Sequence, residues 1–145
     1  MFEHTIEKLV ALAALMPVVA SMSGNTGIQT VTVAVRGIAT RELTSTNALR
    51  VVIKEICVSA TNGVLLGTIA GIVSYLIHKD LYLTFVFSAA ILMALTISGI
   101  IGSTVPLLLH KVKIDPAISS GIFLTAVTDI SSFFIFLGLA SLLLI

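Results

Sequence analysis

The sequence predicts an all-α polytopic membrane protein, a helical bundle with four transmembrane helices in this chain, and three observations carry that prediction. Hydrophobic residues make up 57% of the 145 and charged residues only 10%, and the mean hydropathy is +1.16, far above that of a water-soluble domain. Four apolar stretches, at about residues 9–35, 51–77, 83–109 and 117–144, each exceed the roughly 20 residues needed to cross a hydrocarbon core of about 30 Å. Each stretch is continuous, whereas the strands of a membrane β-barrel would alternate over about 10 residues between turns. Residues 1–145 therefore read as a single transmembrane domain, with no soluble sensor domain present.

The first helix follows a segment holding Glu3 and Glu7 in place of a basic leader, so no cleavable signal is expected and the helix should be retained. Pro17, Gly24 and Gly27 make its backbone easy to distort. Residues 40–47 form a polar link to the second helix, where Gly63, Gly67 and Gly71 recur every four residues and invite close backbone approach. His78 to Asp80 reads as a tight turn. The third helix repeats the packing device with Gly99 and Ser103, beside Ser98 and Gly102, and Pro106 is expected to bend it near one end. Asp115-Pro116 suits the start of the fourth helix, with Asp115 as its cap and Pro116 in its first turn.

Lys and Arg set the orientation. Arg36, Arg41, Arg50 and Lys54 cluster around the first connection and Lys111 and Lys113 in the third, against Lys8 and Lys79 on the other side. The positive-inside rule thus places the first and third connections in the cytoplasm and both termini outside. A formal net charge of +1 and the lack of a basic run with interleaved aromatics argue against nucleic acid as a partner. The single cysteine, Cys57, excludes an internal disulfide.

Asp129 lies near the middle of the last apolar stretch. A charged side chain at the bilayer centre costs about 2.5–3.5 kcal/mol on insertion scales, so such residues face a pore or a partner. At 100° per residue, Gly121, Thr125, Thr128, Asp129 and Ser132 fall within an arc of about 100°, which makes one side of this helix small and polar. On the first helix Ser21, Asn25, Gln29 and Thr32 recur on one face beside Gly24 and Gly27. Interhelical hydrogen bonds among Asn25, Gln29 and Asp129 are the plain structural alternative, but such bonds average about 0.6 kcal/mol in one membrane protein, less than the insertion cost.

Enzyme chemistry fits poorly, and none is expected. His4, His78 and His110 sit at helix ends, away from any serine at membrane depth, and a two-carboxylate protease would need a second acid there. The midplane offers no His or Cys set for zinc or copper. Carboxylate, amide, hydroxyl and carbonyl oxygens are hard ligands that suit Mg²⁺, Ca²⁺ or a hydrated cation in general.

Several short motifs then agree in order and spacing over nearly the whole chain. Pro17 with Gly24-Asn25-Thr26-Gly27-Ile28-Gln29, Arg36, Ala39-Thr40-Arg41-Glu42-Leu43, Lys54-Glu55, the run from Gly102 to Pro106, Asp115-Pro116-Ala117, and Thr125 to Asp129 resemble the membrane domain of the MgtE-type magnesium channels, a domain shared with the SLC41 carriers. The resemblance implies a homodimer in the lipid bilayer of the plasma (inner) membrane, with a pathway for largely hydrated Mg²⁺ along the twofold axis. It makes Asp129 the central metal site and places Thr125 and Gly121 along the same helix, with Ser21, Gly24 and Asn25 lining the facing helix. It also implies two missing partners, an additional helix ahead of the first and cytosolic magnesium-sensing domains. Ile28, Ile122 and Ser132 stand where the family commonly has Asn, Pro and Gly. The expected function is a divalent cation channel or facilitator, most simply for Mg²⁺. The alternatives are a carrier-like cation exchanger using Asp129, or a structural membrane subunit that packs through Gly63, Gly67 and Gly71.

Overall fold

The structure, a computed structural model, describes residues 2–144, with side chains over residues 10–117 and 121–144. Four helices follow one another, α1 (Phe2–Ala39), α2 (Ala48–His78), α3 (Leu81–Lys111) and α4 (Pro116–Leu143). Each contains a segment long and apolar enough to cross a membrane: Val10–Ala39, Ala48–His78, Leu81–Lys111 and Gly121–Leu143. At about 1.5 Å per residue, α2 and α3 are each roughly 46 Å long, so their ends reach past a hydrocarbon core of about 30 Å into the headgroup layers.

Local chemistry ends and starts the helices where the sequence reading expects. Lys79 takes the left-handed conformation with φ 52° and its N–H bonds the Tyr75 carbonyl at 2.8 Å, which closes α2. Asp80 then caps α3, its Oδ1 accepting from the N–H groups of Tyr82 at 2.9 Å and Leu83 at 3.1 Å. Asp115 caps α4 by accepting from the Ala117 N–H at 2.9 Å, with Pro116 in the first turn. The link between α1 and α2 is tied by Asn47, whose side chain donates to the Glu42 carbonyl at 2.7 Å and accepts from the Thr44 N–H at 2.8 Å.

One expectation is corrected. The first helix is not interrupted at Pro17, Gly24 or Gly27 but stays α-helical throughout. Proline deprives one carbonyl, that of Ala13, of its donor, and the glycines are braced by neighbouring helices, so no irregular backbone results. The third helix runs through the buried Pro106 to Lys111.

The third helix is the hub, packing against α1, α2 and α4, while α1 and α4 also pack on each other. Leu83, Val86, Ile91 and Leu95 of α3 meet Val19 of α1 and Phe136 of α4 in the apolar core. Phe87 and Phe136 stand edge to face with centroids 6.1 Å apart. The α2–α3 seam is built on absent side chains, because a methyl at Gly67 would lie 2.9 Å from the Ser88 carbonyl oxygen and one at Gly63 would lie 3.0 Å from Leu92 Cα. The outer face of α2, with Leu65, Ile69, Ile72 and Leu76, is exposed, as a lipid-facing surface should be.

Candidate cation site at the α1–α4 seam

The middle of α1 is held by small and hydroxylated residues. Ser23, Thr26, Gly27 and Thr30 are buried. The hydroxyls of Ser23 and Ser98 approach to 2.6 Å, and Ser23 also donates to the Ala94 carbonyl at 3.5 Å, so with one proton per hydroxyl Ser98 donates to Ser23. Gly27 is the point where three helices meet. A methyl there would sit 3.2 Å from Leu124 Cδ2 and 3.3 Å from Thr128 Cγ2 of α4, and a methyl on Gly102 of α3 would sit 2.8 Å from the Gly27 carbonyl oxygen.

Gly24 lies one turn before Gly27 and opposes Asp129, since a Cβ built on it would be 3.9 Å from Asp129 Oδ1. The carboxylate is half-buried at this seam. Among the described residues it has no hydrogen-bond or ion-pair partner. The polar arc of α4 is divided by packing. Thr128 and Ser132 are fully buried, donating to the carbonyls of Thr125 at 3.1 Å and Thr128 at 2.6 Å, whereas Thr125 is exposed and donates to the Gly121 carbonyl at 3.0 Å. These hydroxyl protons are occupied by the helix itself, which leaves the Thr125 oxygen free to accept. Gly121 is open, with nothing within 4 Å of an added Cβ.

On α1, Ser21, Asn25 and Gln29 share an exposed face beside Gly24 and make no hydrogen bond among the described residues. Thr32, also exposed, donates to the Ile28 carbonyl at 2.8 Å. The structure thus brings Gly24 against Asp129, sets Thr125 and Gly121 on exposed turns of α4 before it, and keeps Ser21 and Asn25 on the adjoining open face of α1. Among the described residues no group of three His, Cys, Asp or Glu side chains converges as a metal site. One chain supplies a lone carboxylate with amide and hydroxyl oxygens around an open face, a set that suits a hydrated hard cation better than a dehydrated one.

Two features escaped the sequence reading. The inner face of α1, formed by Thr26, Gly27 and Thr30, is the packing face, set by Gly27 meeting Gly102 of α3, for which the sequence carries no signal. Glu55, close to one end of an apolar stretch, is 7% exposed and therefore more deeply buried than Asp129.

Four helices long and apolar enough to cross a bilayer, packed around α3, define a multi-pass helical membrane domain. The family described as MgtE, divalent cation transporter, matches residues 16–139, and the chain belongs to that family. The chain is 36% identical over 140 residues to the magnesium transporter MgtE of Bacillus subtilis (strain 168), an alignment covering 97% of this chain and 31% of that protein. Proteins of the same name from Enterococcus faecalis and Thermus thermophilus are 31% and 32% identical, over 97% and 99% of this chain. The chain spans about a third of the length of these relatives, 31% to 32%.

Proposed function

We propose that this chain is the ion-conducting membrane domain of a magnesium channel or facilitator in the plasma membrane, and that two copies enclose the pathway along a shared twofold axis. The observation that carries this reading is Asp129, a carboxylate at membrane depth with no hydrogen-bonding partner among the described residues. Interhelical bonding does not account for it, because it makes no such bond here. A water-lined pathway does account for it, since charges inside membranes face water-filled cavities or partners.

A second copy would bring a second Asp129 to the axis, doubling the charge available to a divalent ion. Mg²⁺ gives up its waters reluctantly, so the ion would pass largely hydrated, its waters held by Asp129, the Thr125 oxygen and the Asn25 amide. Gly24, Gly121 and Ser21 would line the wall, their small size leaving room for that hydration shell. Flow would be inward and passive, each elementary charge gaining about 2.3 kcal/mol per 100 mV of potential.

The test is Mg²⁺ uptake into liposomes loaded with a magnesium-sensitive dye. Asp129→Asn keeps the size of the side chain and removes its charge, and should lower flux by at least about tenfold, equivalent to about 1.4 kcal/mol at the rate-limiting site. Undiminished flux in that variant would sink the ion-site assignment. Saturable flux that requires an opposing ion gradient would instead select the exchanger.

A further inference from the structure

A cleft of about 290 Å³ opens between the end of α1 and the start of α2, remote from the Asp129 seam, and Arg36, Lys54, Glu42 and Glu55 share its walls with the apolar side chains of Leu43 and Val51. Two opposite pairs of charges line one small space, yet among the described residues no ion pair joins them. Glu55 is 7% exposed and has no hydrogen-bond partner among the described residues. Ser74 Oγ is the one sealed side-chain oxygen or nitrogen without a partner among the described residues, so the Glu55 carboxylate oxygens remain accessible and can be reached from the cleft that Glu55 lines.

The charges themselves select the ligand. A divalent cation would satisfy the two carboxylates but would sit beside two further cations, Arg36 and Lys54. A simple anion would satisfy Arg36 and Lys54 but would face two carboxylates. A zwitterion carrying an anionic oxygen group and a primary ammonium satisfies all four, because the ammonium donates to carboxylates and the anion accepts from guanidinium and amine.

The position selects the source. Arg36 lies in the last turn of α1, and Glu55 lies about 10 Å along α2 from its first residue. With helices longer than the hydrocarbon core, this is headgroup depth, on the side that the positive charges assign to the cytoplasm. Val33, in the wall of the cleft, exposes apolar surface along which an acyl chain could lie. We infer that this cleft is a binding site for an aminophospholipid headgroup such as phosphatidylethanolamine, its phosphate on Arg36 and Lys54 and its ammonium on Glu55 and Glu42.

Native mass spectrometry of the delipidated chain, titrated with defined phospholipids, tests the inference. Phosphatidylethanolamine should be retained at about tenfold lower concentration than phosphatidylglycerol, which has the phosphate without the ammonium, as the loss of one charge-assisted hydrogen bond predicts. It should also surpass phosphatidylcholine, whose quaternary ammonium cannot donate. Glu55→Gln should remove this preference, and Glu42→Gln, in an exposed link, should weaken it without threatening the fold. Equal retention of the three lipids, or a preference that persists in both variants, overturns the proposal. So does displacement of phosphatidylethanolamine by millimolar Mg²⁺ in a Glu55-dependent manner, which would make the cleft a cation site.

Discussion

Gly24 opposes Asp129 across the α1–α4 seam so closely that a Cβ on the glycine would lie 3.9 Å from the carboxylate Oδ1. That is ordinary van der Waals distance, so alanine fits, while a longer side chain would lie over the carboxylate and strip its water. Gly24→Ala should therefore transport Mg²⁺ within about twofold of the unaltered protein, whereas Gly24→Leu should lose at least about tenfold through desolvation of the charge. Dye-loaded liposomes report both, and equal fluxes would separate Gly24 from the pathway.

Gly102 presents a different situation, because a methyl there would come within 2.8 Å of the Gly27 carbonyl oxygen and 2.9 Å of Thr30 Cβ. Backbone cannot rotate away, so α1 and α3 must part. Gly102→Ala should destabilise the bundle by about 1–3 kcal/mol, the usual range for overpacking. Gly138→Ala is the control, as nothing lies within 4 Å of its added methyl, and it should be neutral or gain up to about 1 kcal/mol from helix propensity. Reversible unfolding in mixed micelles gives both values. A stable Gly102→Ala protein would mean that the α1–α3 approach is looser than described.

Helix number, the cap at Asp115 and the turn from His78 to Asp80 were legible in the sequence, because apolar length and short polar side chains act locally; the cap that Asp80 forms came only with the structure. Asp129 stood out for a similar reason, an ionisable group in hydrocarbon being costly wherever the helix points. Which face of α1 packs was not legible, since Ser21, Asn25 and Gln29 and the inner set of Ser23, Thr26 and Thr30 are equally polar. Their roles are set by Gly27 meeting Gly102, a contact between residues of two different helices. Glu55 was hidden because its burial comes from α3: it extends the buried stripe of Ser59, Gly63, Gly67 and Gly71, and a Cβ on Gly99 would lie 3.3 Å from its carbonyl oxygen. The continuity of α1 shows the same limit, as the bracing of Gly24 and Gly27 by α4 overrides their local flexibility.

The 2.6 Å contact between Ser23 and Ser98 is the described hydroxyl pair that joins α1 to α3 at membrane depth. In a double-mutant cycle, Ser23→Ala and Ser98→Ala should couple by about 0.6 kcal/mol and by no more than about 1.7, the range for interhelical bonds in a membrane protein. Mg²⁺ flux should hold in Ser98→Ala, since Asp129 is on another helix. Coupling near zero would show that both hydroxyls find other partners when separated.

The open polar face of α1 is the strongest reason to expect a second copy. Asn25 and Gln29 expose amides at membrane depth with no described partner, and lipid tails cannot satisfy them. In a twofold dimer closed on the α1–α4 face, Asn25 of each copy would approach the axis. Asn25→Cys, made in a Cys57→Ser background because Cys57 is exposed, should thus form a disulfide-linked dimer under mild oxidation in membranes. Leu65→Cys, on the outward face of α2, should remain monomeric under the same conditions. The Asn25 crosslink should also be favoured by Mg²⁺, which would draw the two Asp129 carboxylates together and lower their mutual repulsion. If Leu65→Cys crosslinks and Asn25→Cys does not, the copies meet through α2, and the Asp129 seam is not on the axis.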